Sequence, residues 1–359
     1  MKEPTLSFTI LAWLAFIVIP AVGLNPVSFH LIDPILSPST ATKQFTITAG
    51  IETYNQIITF VLETNDDLVS PSVQIRYPDV HRDTIDAGTL PNIQVRFTKG
   101  SVWRQETLGG SREDVGWARL AVMQDGESLL FDGAFTMMGS QYAIALETLD
   151  DGSTGIIAHK HESAFSAGRS SLSSLCATAP ETHLDKRQIW NPWGDDNLTS
   201  TIGTTNGCPT TREIAYIGIM TDCSYTTSFN SSDSARRYIL NMVNTASVVF
   251  ENSFNISLAV QNLTISDADC PSSTSDTTAW NVPCSQGDLN TRLQTFSTWR
   301  SSLNDENAYW TLLTGCSVLA GEVGVSWIGA LCNTGSGSSN GGASANVVAR
   351  TQSEWQVFA

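Results

Sequence analysis

The sequence predicts two unlike halves: a β-rich first half, then a second half in which strands and helices alternate around a mixed, largely parallel sheet, an α+β/α/β organisation. Two observations predict it. Short runs with apolar residues at every second position recur before residue 165, with no helical period between them. After residue 210, apolar steps of three and four alternate with continuous apolar runs, as packed helices and doubly buried strands require. With 359 residues and 41% apolar content, the chain can fill two or three ordinary cores.

Residues 1–23 read as a secretory leader. Lys2 supplies the positive end, Leu6 to Ile19 the apolar stretch, and Ala21-Val22-Gly23 the small residues of a cleavage site. The apolar stretch is shorter than the ~20 residues that a membrane span needs. Residues 24–187 form the β-rich half. Its alternating runs are Phe45/Ile47, Val73/Ile75/Tyr77, Ile93/Val95/Phe97, Trp117/Arg119/Ala121 and Tyr142/Ile144/Leu146. Asp125-Gly126 between two runs is a hairpin signal. Pattern alone predicts a sandwich or roll. The half closes in a Ser-rich linker carrying Cys176 and ending at Lys186-Arg187, a dibasic pair that reads as a processing site.

Residues 188–359 form the second half. Ile214 to Met220 is a strand buried on both faces; Ser232 to Asn255 an amphipathic helix; Ile256 to Ile265 a strand. Leu289, Leu293, Phe296, Trp299 and Leu303 mark a second helix, and strands are predicted over 308–313, 323–331 and 346–349. Thr351-Gln-Ser-Glu354 has the form of a capping box, which opens a last helix with Trp355, Val357 and Phe358 on its apolar face.

The chemistry is bounded by what these residues are. A net charge of −16 argues against nucleic acid as a partner. Secretion permits disulfides, and Cys208, Cys223, Cys270, Cys284, Cys316 and Cys332 are candidates; Cys176, the seventh, is a free thiol or lacks its partner. Asn197, Asn230, Asn255 and Asn262 head glycosylation sequons. The five histidines, His30, His81, His159, His161 and His183, all precede residue 187, so the second half by itself offers no Ser-His-Asp triad and no imidazole metal site. Asp195/Asp196 and Asp267/Asp269 read as solvated loop charges, and His159-Lys160-His161 as a polar strand end. On these terms the second half is a scaffold without a catalytic set.

Several stretches resemble the fungal branch of the ADAM (disintegrin and metalloprotease) family, reprolysin-type metzincin zinc proteases. They are "IAYIGIMTDCSYTTSFN" (214–230), "NTASVVFENSFNISLAVQNLTISDADCP" (244–271), "AWNVPC" (279–284), "NDENAYWTLLTGC" (304–316), "EVGVSWIGALC" (322–332) and "ANVVARTQSEWQVFA" (345–359). The first half resembles the family's pro-domain more loosely, through "WARLAVMQDGESLLFDGAF" (117–135). The resemblance implies a zinc endopeptidase precursor with a metzincin-like, incomplete second domain. The two zinc-binding histidines and the general-base Glu of HExxH are expected beyond Ala359, so none of the visible protease residues is expected to bind Zn2+. It implies a substrate-pairing edge strand at Gly324, Val325, Ser326 and Trp327, convertase cleavage at Lys186 and Arg187, and Cys176 as an inhibitory zinc ligand. Protein or peptide substrates are expected, in the secretory pathway or at the cell surface, with a membrane anchor in the full-length protein alone. A secreted, non-catalytic binding or decoy protein is the alternative.

Overall fold

The computed structural model describes residues 28–38, 43–52, 56–77, 95–105, 111–125, 128–161, 208–275, 278–316, 322–327, 330–333, 343–351 and 354–358. The secretory leader, Cys176, Lys186-Arg187, Asn197, His81, His183 and the Asp195/Asp196 pair lie outside them.

The first half is a closed antiparallel barrel rather than a sandwich or roll. Its strands are β1 (Ser28–Pro38), β2 (Phe45–Ile51), β3 (Gln56–Thr64), β5 (Val95–Gln105), β6 (Glu113–Asp125), β7 (Ser128–Met137), β8 (Ser140–Thr148) and β9 (Thr154–Lys160). They pair in that order and close through β1 on β9, with Leu31 opposite Ile156. Alternation fixes which face is inward but not whether a sheet closes on itself. Closure follows from the filling: Phe29, Phe60, Phe131, Phe135 and Tyr142 are all essentially inaccessible. Phe135 stacks on Tyr142 at 5.1 Å, and Phe60 meets Phe135 edge-on at 5.4 Å. An eight-stranded barrel has an interior that such side chains fill. Gly133 is required where it sits: its φ is 143°, and a Cβ there would lie 2.2 Å from the Arg119 carbonyl oxygen. The hairpin at Asp125-Gly126 forms, its last pair being Asp125 with Ser128.

The barrel skips one strand. Between β3 and β5 the chain leaves the barrel as β4 (Val69–Arg76) and joins a different sheet. That sheet contains β10 (Glu213–Thr221), β11 (Ile256–Ile265), β12 (Tyr309–Thr314), β13 (Gly324–Ser326) and β14 (Ala345–Ala349), in the order β13-β14-β12-β10-β11-β4. All neighbours are parallel except β13 on β14. The strand predicted over 323–331 is thus only three residues long.

α1 (Cys223–Thr226), α2 (Ser232–Phe254), α3 (Leu289–Ser301) and α4 (Glu354–Phe358) complete the half. α2 starts where Ser231 Oγ accepts from the Ser234 N–H and stops where Asn255 takes φ 58°. It packs Ile239, Val243 and Ala246 into a core shared with Leu258, Leu263 and Tyr309, to which β4 contributes Ile75 and the approach to β4 Leu68. α3 covers the other face, with Leu289, Leu293 and Phe296 against Leu312 and Val347. Gly218 in the central strand leaves room for the Trp310 ring, which a Cβ would meet at 2.2 Å. The two halves defined by sequence therefore share a hydrophobic core and a sheet.

Candidate functional site

The carboxyl ends of the parallel strands are the usual place for a site in an open α/β sheet. The floor there is a buried charge knot. Asp222, just after β10, caps α1: its Oδ1 accepts from the Tyr225 N–H at 2.8 Å and from the Ser224 hydroxyl at 2.6 Å. Its Oδ2 accepts from Arg292 Nη1 at 2.8 Å and from the Thr314 hydroxyl at the end of β12. Both charged side chains are fully buried. Arg292 also donates to the carbonyls of Trp280, 3.0 Å, and Val282, 2.7 Å, while its Nε has no partner. Disulfides Cys223–Cys270 and Cys284–Cys316 pin the same loops. Of the six candidate cysteines, Cys208 and Cys332 pair with no other cysteine among the described residues. Spacing alone does not choose among pairings; the fold brings four sulfurs together at the ends of β10 and β12.

Above the knot stands α4. The capping box expected at Thr351 and Glu354 is used differently: the Glu354 carboxylate accepts from the Tyr225 hydroxyl at 2.7 Å and the Tyr238 hydroxyl at 3.3 Å. Burial pushes its pKa up to about 7, against the opposing pull of Tyr225 and the Arg350 charge. The Arg350 guanidinium lies over Phe229, Tyr238 and Tyr225, 4.2, 4.7 and 5.4 Å from their centroids. Burial also raises both tyrosine hydroxyls, so they are donors at neutral pH. The cluster fixes how α4 leaves β14.

β13 lies at the sheet edge beside α4, and a Cβ on Gly324 would meet Val357 at 2.9 Å. Ala349 donates to the Val323 carbonyl at 2.9 Å, and the register continues with Val325 opposite Val347. In an antiparallel ladder, hydrogen-bonded and free pairs alternate. Val325 therefore bonds inward to β14, while the N–H and C=O groups of Gly324 and Ser326 point to the open side. Trp327 anchors the strand end, its indole donating to Ser297 Oγ at 3.0 Å. The arrangement can take an extended backbone as an added strand.

The remaining expected residues scatter. Among the described residues, no three His, Cys, Asp or Glu side chains gather closely enough to hold a metal ion. His30 and His159 sit on the barrel wall beside Glu52 and Glu147, and His161 lies against the Trp355 ring, centroids 6.3 Å apart. Asp267 and Asp269 are exposed loop charges. Asn230 is exposed. The Asn255 amide donates to the Pro209 carbonyl at 3.0 Å, and Asn262 Oδ1 accepts from Asn307 at 2.8 Å. The Asp222–Arg292 knot and the Glu354 cluster left no sequence signal beyond their residue types; their members lie tens of positions apart.

Residues 210–359 match the family profile Reprolysin_5, metallo-peptidase family M12. The chain is 33% identical over 377 residues to a disintegrin and metalloproteinase domain-containing protein B of Aspergillus fumigatus, covering 88% of this chain and 48% of that protein. The protein of the same name from Arthroderma otae is 32% identical over 382 residues, 89% of this chain and 48% of its own length. The zinc metalloprotease mde10 of Schizosaccharomyces pombe is 26% identical over 135 residues, 33% of this chain and 26% of that protein. The chain thus spans about half the length of the disintegrin-named relatives it matches.

Proposed function

We propose that this chain, whose residues 210–359 belong to metallo-peptidase family M12, is part of a secreted zinc metalloendopeptidase precursor of the ADAM and reprolysin type. Protein or peptide substrates are the proposed partners. The observation that carries the reading is the open antiparallel edge of β13, beside α4, in a domain matching that family. A substrate backbone pairs with the outward groups of Gly324 and Ser326, while Trp327 and β14 hold the strand in place. Zinc accompanies the family, but the described residues hold no donor set for it, so no chemical step is derived through the metal.

The resemblance further supports Lys186-Arg187 as the site where a convertase separates barrel from protease, and Cys176 as an inhibitory ligand before separation. It also supports a secretory or cell-surface location. Among the described residues no helix is long and apolar enough to cross a membrane. Asn230 is the exposed glycan acceptor among the described sequons.

The test uses the full-length protein. Its cleavage of a quenched fluorescent peptide library is measured with and without a zinc chelator, and again with Ser326→Pro, which removes one outward N–H. Chelator-sensitive cleavage that Ser326→Pro weakens at least tenfold in kcat/KM is expected. Full activity in Ser326→Pro, or no cleavage by the intact protein after processing, overturns the reading.

A further inference from the structure

The two disulfides of the second half are built differently. Cys223–Cys270 joins a fully buried residue to a half-buried one. Cys284–Cys316 joins an exposed residue to a buried one. Cys284 opens a 3-10 turn over Cys284–Gln286, and the other two residues of that turn, Ser285 and Gln286, are exposed as well. A thiol arriving from solvent therefore meets this bridge from the Cys284 side, while Cys316, just past the end of β12, is only 6% exposed.

The buried sulfur also has polar company. Arg292 Nη2 donates to Cys316 Sγ at 3.2 Å, and the Ser224 hydroxyl lies 3.2 Å from the same atom. Among the described residues no guanidinium is hydrogen-bonded to the sulfur of Cys223 or Cys270. A neutral sulfur is a weak acceptor and gains little from a buried cation. A thiolate gains far more: charge-assisted hydrogen bonds are roughly twice as strong as neutral ones, and a neighbouring arginine makes a thiol more acidic. Asp222 holds Nη1 of the same guanidinium, so the positive charge is shared, but Nη2 otherwise meets only the neutral carbonyls of Val282 and Pro283.

We propose that Cys284 is a thiol-exchange site, attacked by a small thiol or a dithiol reductant, with Cys316 as the leaving thiolate held by Arg292 and Ser224. The incoming thiol loses its proton to solvent and bonds to Cys284 Sγ. The Sγ–Sγ bond breaks, and its electron pair departs on Cys316. A monothiol stops at a mixed disulfide on Cys284. With a dithiol, the reductant's second thiolate attacks its own sulfur in that mixed disulfide. Cys284 then leaves and takes a proton from water; the reductant ends as a disulfide, and two electrons have passed to the protein. Exchange quickens as the leaving thiol becomes more acidic, and it starts at the sulfur the attacker can reach. Both rules give the same direction of attack here. Opening the bridge frees the loop 279–284 from the end of β12. That loop supplies the Trp280, Val282 and Pro283 carbonyls for Arg292, and the Asn281 side chain that accepts from the Cys223 N–H at 2.8 Å. The buried charge knot is thus braced by a bond that a reducing thiol removes.

The test incubates the folded, full-length protein with reduced glutathione, without denaturant, and alkylates at intervals the thiols set free. Mass spectrometry of the peptides reads which cysteines carry the alkyl label and which carry glutathione. At early times glutathione is expected on Cys284 and label on Cys316, at least tenfold faster than label on Cys223 or Cys270. Arg292→Lys keeps a cation for Asp222 but loses the fork that reaches the sulfur, and should slow opening at least tenfold. Ser224→Ala should slow it severalfold, and circular dichroism of both variants reports that they fold. Glutathione on Cys316, or equal rates for the two bridges, overturns the proposal. So does unchanged opening in Arg292→Lys, or in Ser224→Ala should the lysine variant not fold.

Discussion

The two edges of the mixed sheet are opposites. At one end β11 is covered by β4, an eight-residue strand from a distant part of the chain, over a buried core and beside amide bonds and a desolvated ion pair. At the other end β13 is three residues long, half-exposed and antiparallel, with its outward groups unclaimed among the described strands. Long, flat, open edges invite pairing with other chains. This molecule extends the sheet past β11 with β4, which becomes the end strand there, and at the other end leaves a short edge next to α4, the one proposed above for a substrate. Position in the sheet thus separates a strand buried against a core from the short open edge proposed for binding.

Substitutions can break that comparison. The scale is set in the middle of the sheet, where Asp222→Ala would strand the fully buried Arg292 charge. A loss of about 3–5 kcal/mol is expected in denaturant melts. Next comes pH. Glu354 rises from 4.5 in its ordinary state to about 7 in the fold, so the folded protein binds this proton more tightly than the unfolded chain. Its contribution is complete below about pH 4.5 and is lost as pH rises through 7. The drop between those limits is on the order of 3 kcal/mol, and Glu354→Gln should flatten it in melts followed from pH 5 to 8.

The covered edge should respond more modestly. Arg119→Ala leaves Glu251 with Arg212 and two serine hydroxyls, so a loss of about 1–3 kcal/mol is expected by the same melts. Burial pushes Asp132 up to about 6, against Arg237, so this group favours the folded state more at pH 5 than at pH 8. Burial likewise raises the Glu251 carboxyl, but Arg119, Ser247 and Arg212 outweigh it and hold it below its ordinary range, an opposing effect that acts only at lower pH. The smallest change in stability belongs to the open edge. Ser326→Pro should move the melt by less than about 1 kcal/mol while weakening peptide cleavage, since that N–H bonds nothing in the sheet. Equal stability losses from Arg119→Ala and Ser326→Pro would erase the distinction between the edges.

Much of the second half was legible one residue at a time. The continuous apolar run at 214–220, the three-and-four spacing through 235–254 and the alternation at 256–265 match β10, α2 and β11 almost to the residue. The short edge departs from its pattern: the apolar stretch at 323–331 has the composition of a long strand, but among the described residues the strand covers only Gly324–Ser326. Val73, Ile75 and Tyr77 have the pattern of a strand but not of a strand of the other sheet, because alternation records which face is buried and not against what. Glu354 has the spacing of a local cap and is instead held by tyrosines more than a hundred positions away.

By itself the sequence determined the longer secondary elements of the second half, their alternation, the expectation of disulfides and the family resemblance. These are encoded in local spacing and residue type. Only the tertiary structure decided that the first half closes into a barrel, that β4 crosses to β11, that Asp222 neutralises Arg292, and which four cysteines pair. Each of those is a contact between distant segments, chosen by which surfaces can be buried together, and no local pattern carries that choice.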